Sequence, residues 1–196
     1  MDLFRNPLTR PAVAFALAVW PISLAAEPVA PFTASKSEAA SAADEAAALL
    51  ERLRTPELEN WEAVERDLTR LWSKSGSDTA DLLLQRGRDA VEAEDLGEAV
   101  EHFSALIDHF PEFAEGWNAR ASVLFSQEKY GQALQDAARA VELNPNHFGA
   151  LSGLGIMFER MGDDKNALEA FDRAMAVNPH RERVKEAVDR IRRKLG

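Results

Sequence analysis

From about position 43 to the C-terminus, apolar residues recur at three- and four-residue steps, the spacing that lines one face of an α-helix and not the alternation of a strand. The first run, 43–53, carries Leu49, Leu50 and Leu53. It ends at Thr55-Pro56, because a proline disfavours helix in the residue before it. Pro56 suits the first turn of a second helix, along which Leu58, Trp61, Val64, Leu68, Leu71 and Trp72 form one stripe before Ser73-Lys74-Ser75-Gly76-Ser77 closes it. These two helices form a pair over 45–76. At the other end, Val184, Ala187, Val188, Ile191 and Leu195 make an apolar stripe on an otherwise charged helix, 182–196, which suits a solubilising cap.

Between the two lies a repeat. Pro111, Pro145 and Pro179 stand 34 residues apart (145 − 111 and 179 − 145), and so do Ala99, Ala133 and Ala167. A fixed period of this length marks a helix-turn-helix solenoid, whose units cannot bury their apolar faces alone. Each proline stops the second helix of a unit and sets the corner from which the next unit starts. The three units run over 80–113, 114–147 and 148–181. Gly87, Ala121 and Gly155 hold the eighth place, and Ala99, Ala133 and Ala167 the twentieth, where small residues let the two helices of a unit approach closely. Extending the register backwards puts Glu65 and Ser77 where Ala and Pro belong, so the 45–76 pair is no fourth unit. It is expected to pack on the first unit as a cap.

Leu83, Gly87, Ala99, Phe103 and Pro111, with their counterparts through Leu151, Gly155, Phe158, Ala167, Phe171 and Pro179, resemble the tetratricopeptide repeat. The likeness covers 80–179 and the terminal helix. Arg86 and Arg120 stand where Leu is common, and Ala137 replaces a large residue. The whole also looks like short exported repeat proteins of alphaproteobacteria. The resemblance implies an all-α, right-handed α-solenoid of three such repeats, with a C-terminal capping helix and an N-terminal helical pair. It further implies a concave groove, lined by the first helix of each unit, that accepts an extended peptide or a partner's helix. Register places Leu84, Arg88, Val91 and Glu92 there, then Asn118, Ser122, Phe125 and Ser126, then Ser152, Ile156, Glu159 and Arg160. Of these, Leu84, Arg88, Val91, Asn118, Ser122, Phe125, Ile156 and Arg160 are the candidate contact residues. The alternative is that Val91, Phe125 and Ile156 merely pack between neighbouring helices. Family members that clamp a chaperone's terminal carboxylate carry basic and Asn residues at set places, which here hold Leu84, Arg88, Ala119, Gly149 and Gly153. With one base among five, such a clamp is not expected.

Charge narrows the partners. A net charge of −10 disfavours nucleic acid and anionic membranes, which need clustered Lys and Arg. The last helix, 181–195, departs from this with seven basic residues against three acidic ones. At the N-terminus, Arg5 and Arg10 precede an apolar run over 12–26, with Ser23 and Ala25 at the −3 and −1 places of a secretory cleavage site. The expectation is a signal peptide at 1–25, a flexible Ala/Ser/Pro linker at 26–44, and a periplasmic protein without stable membrane insertion after cleavage. An uncleaved anchor in the inner membrane is the alternative. No cysteine is present, which removes disulfides, thiolate metal sites and a lipid-attachment residue.

Nothing points to reaction chemistry. His102, His109, His147 and His180 are scattered without metal spacing, and no nucleophile elbow, phosphate loop or calcium loop occurs. Glu92, Glu94, Asp95, Asp163 and Asp164 fall at turns, where acidic side chains meet helix dipoles favourably. Neither enzyme activity nor a cofactor or metal is expected. Trp61 and Trp72, eleven residues apart, share a helix face that either packs the N-terminal pair or docks a partner. The function implied is an exported adaptor or scaffold that binds a peptide or protein, the alternatives being a self-assembling structural protein and an accessory subunit of an envelope complex.

Overall fold

The structure, a computed structural model, describes residues 36–196, and every regular element among them is an α-helix. The signal pattern at 1–25 and the linker as far as 35 lie outside the described residues. Helix α1 is Lys36–Leu53 and α2 is Trp61–Trp72. The three units follow as α3 (Asp78–Glu92) with α4 (Leu96–His109), α5 (Ala114–Ser126) with α6 (Tyr130–Leu143), and α7 (Phe148–Arg160) with α8 (Asp164–Val177). Helix α9, Glu182–Leu195, closes the α-solenoid. The start of α1 falls inside the stretch expected to be a flexible linker. Alanine explains this, since Ala39, Ala40, Ala42 and Ala43 favour helix without needing a packing partner.

Each unit turns by the same backbone device. After the first helix, Glu94, Glu128 and Gly162 adopt φ of 60°, 60° and 79°, one per unit at the same register. The next N–H reaches back to Ala90 O, Leu124 O or Phe158 O, a Schellman ending that satisfies carbonyls left over by the helix. Asp95 and Asp163 then cap α4 and α8 by accepting from Glu98 N and Asn166 N, whereas Lys129, at the equivalent place, makes no side-chain cap for α6. The proline corners at Pro145 and Pro179 are built by Asx turns. Asn144 Oδ1 accepts from Asn146 N, and Asn178 Oδ1 from His180 N, each at 3.1 Å.

Within the units, the eighth and twenty-fourth places are matched in size. A Cβ at Gly87 would fall within 3.0 Å of the Phe103 ring, and one at Gly155 within 3.0 Å of Phe171. In the second unit both places are alanine, Ala121 and Ala137, and both are buried. The second unit compensates with an ion pair. Arg120 grips Asp136 with two hydrogen bonds of 2.7 and 2.9 Å, donates to Ser104 Oγ at 3.1 Å, and lies over the Trp117 ring. Asp136 is buried, so the pairing is needed to offset its desolvation.

The N-terminal pair does not sit where it was expected. Leu49, Leu50, Leu53, Val64 and Leu68 join one buried cluster with the second and third units and α9, while Ala80, Leu84, Ala99, Phe103 and Leu106 of the first unit form another with Val123. Trp72 stacks on His147 (5.0 Å between centroids) and tilts on Phe148, and Trp61 stacks on His180 (5.7 Å). Helix α2 therefore runs beside the later corners. Towards the first unit it leaves a cleft of about 700 Å³ bounded by Glu65, Thr69 and Ser73 on one side and Leu84, Gln85 and Arg88 on the other. Only the end of α2 and the loop after it reach α3, through Arg88 to Ser73 Oγ and Ser75 to Asp81. The aromatic and leucine face of α2 finds rings to stack on at the corners and none along α3, which turns Asp81, Gln85 and Arg88 towards the cleft. Among the described residues, no helix is long and apolar enough to cross a membrane.

Candidate binding groove

The first helices of the units, α3, α5 and α7, set two neighbouring clefts side by side. Between α3 and α5, a cleft of about 360 Å³ is lined by Arg88, Val91 and Glu92 on one wall and Asn118, Ser122 and Ser126 on the other, with Phe103 and Val123 among its apolar lining. Between α5 and α7, a second cleft of about 340 Å³ is lined by Asn118, Ser122 and Phe125 opposite Ser152, Ile156 and Met157. Asn118 and Ser122 belong to both, because they lie one turn apart on the helix that separates the clefts. This ridge between two apolar hollows is the central feature of the groove.

Six of the eight expected contact residues line these clefts: Arg88, Val91, Asn118, Ser122, Phe125 and Ile156. Val91 is 39 % exposed and Ile156 48 %, so neither is consumed by packing between helices. Phe125 is half-buried and tilted against Tyr130 at 5.4 Å, so it serves both the core and the cleft. Arg160 is exposed in the last turn of α7. Leu84 is different. At 2 % exposure it is part of the first unit's core beside Ala80 and Phe103, and it cannot offer itself to a partner.

At the corner-side edge of the groove, a buried carboxylate organises the charges. Glu115, in the first turn of α5, accepts from Arg88 Nη2 at 2.6 Å, from Asn118 Nδ2 at 3.1 Å and from His147 Nε2 at 3.0 Å. His147 Nδ1 accepts the Ala150 N–H and so caps α7, which leaves the imidazole proton on Nε2 for Glu115. Burial on its own pushes the Glu115 carboxyl up, but the His147 hydrogen bond, joined by the charge and hydrogen bond of Arg88, outweighs it and holds the group below its ordinary value. One acid thus ties together α3, α5 and the corner before α7. Trp72 covers His147 from the other side.

Glu115, His147 and Arg181 were absent from the residues expected here, although all three shape the groove edge. A signal existed for the first. Arg88 at the ninth place of one unit and Glu115 at the second place of the next are neighbours in any solenoid of this register. Arg181, at the end of the α5–α7 cleft, lies over Phe148 and 3.5 Å from Glu65 of α2, a link that no local pattern reveals. Among the described residues, no group of three or more His, Asp or Glu side chains is placed to hold a metal ion.

Comparison with known proteins agrees with this architecture. The family model for the tetratricopeptide repeat matches residues 84–146 and 118–180. A TPR repeat-containing protein of Rhizobium etli is 30% identical over 146 residues, which are 74% of this chain and 71% of that protein. The Hsp70-Hsp90 organizing protein of Triticum aestivum is 33% identical over 106 residues, 54% of this chain but only 18% of that longer protein. Among solved structures, the first TPR of Spaghetti (RPAP3) bound to HSP90 peptide SRMEEVD shares the fold at a TM-score of 0.59 and 23% identity, over 61% of this chain and 94% of that one. With the 34-residue register, the three helical hairpins and these matches in hand, the chain belongs to the tetratricopeptide repeat family.

Proposed function

We propose that the chain is an exported protein-interaction module, an adaptor or scaffold that takes an extended segment of a partner protein into the groove of α3, α5 and α7. The observation that carries this is the Asn118–Ser122 ridge. It sets amide and hydroxyl groups between two apolar hollows, which suits a strand whose backbone needs hydrogen bonds and whose alternate side chains need pockets. The HSP90 peptide held by the structurally similar RPAP3 domain gives the mode a precedent in this fold. A terminal-carboxylate clamp is disfavoured. Arg88, its one candidate base, is already matched by Glu115, and Gly149 and Gly153 offer no side chain.

Self-assembly through the basic last helix is the weaker reading. Arg190, Arg192 and Lys194 reach Glu159, Asp172 and Asp164 of the same chain, which occupies much of that charge internally. Sedimentation at low and high salt should show the same monomer. Export rests on the Arg5, Arg10 and Ser23–Ala25 pattern, and the mature protein should begin at Ala26; intact Met1 on a membrane-bound form would exclude that.

The deciding experiment crosslinks the chain in its native envelope, identifies the captured protein, and repeats the capture with Asn118→Ala and Phe125→Ala, singly and together. The double variant should weaken capture by roughly 1–4 kcal/mol, the range of central contact residues. Full capture by a folded double variant refutes the groove reading.

A further inference from the structure

We propose that the α1–α2 hairpin is a strap that fixes the spacing between successive corners of the solenoid, and with it the opening of the groove. Trp61 and Trp72 are eleven residues apart on one helix, which at 1.5 Å per residue is about 17 Å of rigid rod. Each end of that rod carries an indole. Trp72 lies on His147 at the corner before α7, and Trp61 lies on His180 at the corner before α9, with interplanar angles of 25° and 14°.

Polar ties reinforce both ends. His180 Nε2 donates to Leu53 O at 3.0 Å, Arg54 donates to Asn146 at 2.9 Å, and Asn178 Nδ2 donates to Glu65, whose carboxylate also faces Arg181. Asn146 and Asn178 belong to the two Asx turns, so these bonds hold the corners themselves. At its C-terminal end α2 is tied to the first unit as well, since Arg88 donates to Ser73 while gripping Glu115.

An ordinary repeat array contacts only its neighbours, and its curvature is the sum of small, independently variable rotations between units. Here one rod is fastened to two successive corners and, at its C-terminal end, to α3 as well, so neither the spacing of α3 from α7 nor the rotation from the third unit to α9 can change without breaking a stack or a tie. Leu53 at the end of α1 and Leu68 of the rod itself are fully buried, which makes the strap a permanent part of the fold and not a releasable latch. It needs no partner in the groove to act.

The absence of cysteine allows a direct test in the full-length chain. Arg86→Cys in α3 and Arg193→Cys in α9, both exposed, would carry spin labels across the solenoid. The unmodified strap should give one narrow distance distribution. Trp61→Ala with Trp72→Ala should broaden and shift it while helical circular dichroism is kept. A gentler pair, Arg54→Ala with Glu65→Ala, removes polar ties without opening a core cavity; it should broaden the distribution less and speed amide exchange in α9 by roughly tenfold, leaving α4 unchanged. The gentler pair decides if the tryptophan pair unfolds. A distribution that is already broad in the parent, that stays unchanged in the folded variants, or an exchange effect confined to α2, would overturn the strap.

Discussion

Glu94 and Glu128 hold a left-handed backbone that Gly162 adopts freely at the same register. A side chain there costs about 1–2 kcal/mol, and glycine gives part of that back by loosening the unfolded chain. Glu94→Gly and Glu128→Gly should each raise stability by about 0.5–1 kcal/mol in chemical denaturation, and Gly162→Ala should lower it by a similar amount. Gly87→Ala is the opposite case, since its methyl meets the Phe103 ring; overpacking of this kind should cost about 1–3 kcal/mol. Glu115 adds a pH dependence. Its folded value lies below its ordinary 4.5, so its contribution is fully present above that value and is lost as pH falls through the lower, folded one. Glu115→Gln should therefore cost about 1.5–3 kcal/mol at neutral pH and flatten the stability loss below pH 4.5. At this scale the sequence was legible in pairs and not in single residues. Arg120 looked like a defect at an apolar place until Asp136, sixteen residues on and buried, supplied its partner. Ala137 likewise needs Ala121, because a methyl at the eighth place leaves no room for a ring at the twenty-fourth.

The elements themselves were written plainly, for an apolar stripe at helical spacing bounded by Asx-Pro or Schellman signals specifies a helix wherever it packs. What the stripe leaves out is the identity of the surface it faces. Trp61, Val64, Leu68 and Trp72 announce a buried face of α2, yet the rings it meets lie 75 to 119 residues further on (147 − 72 and 180 − 61). Leu84 was misplaced for a related reason. The register assigns it to the groove side of α3, but in the first unit that place turns into the core beside Phe103. Two element-scale outcomes follow from capping. Lys129→Asp should supply α6 with the cap that α4 and α8 already have and raise the melting point, by an amount equivalent to about 0.5–2 kcal/mol. Deleting 181–196 should uncover the α8 face beneath Val184, Val188 and Ile191 and remove Arg181, which faces Glu65 and lies over Phe148, so the truncated chain should associate or melt earlier. A monomeric truncation with an unchanged melting curve would show that α9 is a mere tail.

For the molecule as a whole, the hairpin at one end of the described chain and the helix at the other share a core, so unfolding should not proceed unit by unit from either terminus. Leu53→Ala, at the centre of that shared core, should cost about 2–5 kcal/mol and keep one thermal transition for α1, α2 and α5–α9. Two separated transitions, with the hairpin melting first, would contradict it. There is also a consequence for the order in which the chain is made. Trp72 leaves the ribosome 108 residues ahead of His180 (180 − 72), a delay of roughly 5–20 s at ordinary elongation rates. Throughout that interval, leucines at 49, 53 and 68 have no final resting place, although the first unit behind them can already close on its own core. The nascent protein therefore carries its stickiest segment unfinished until the corner at His180 has been made, and whatever shields that segment in the meantime acts on the hairpin and not on the repeats.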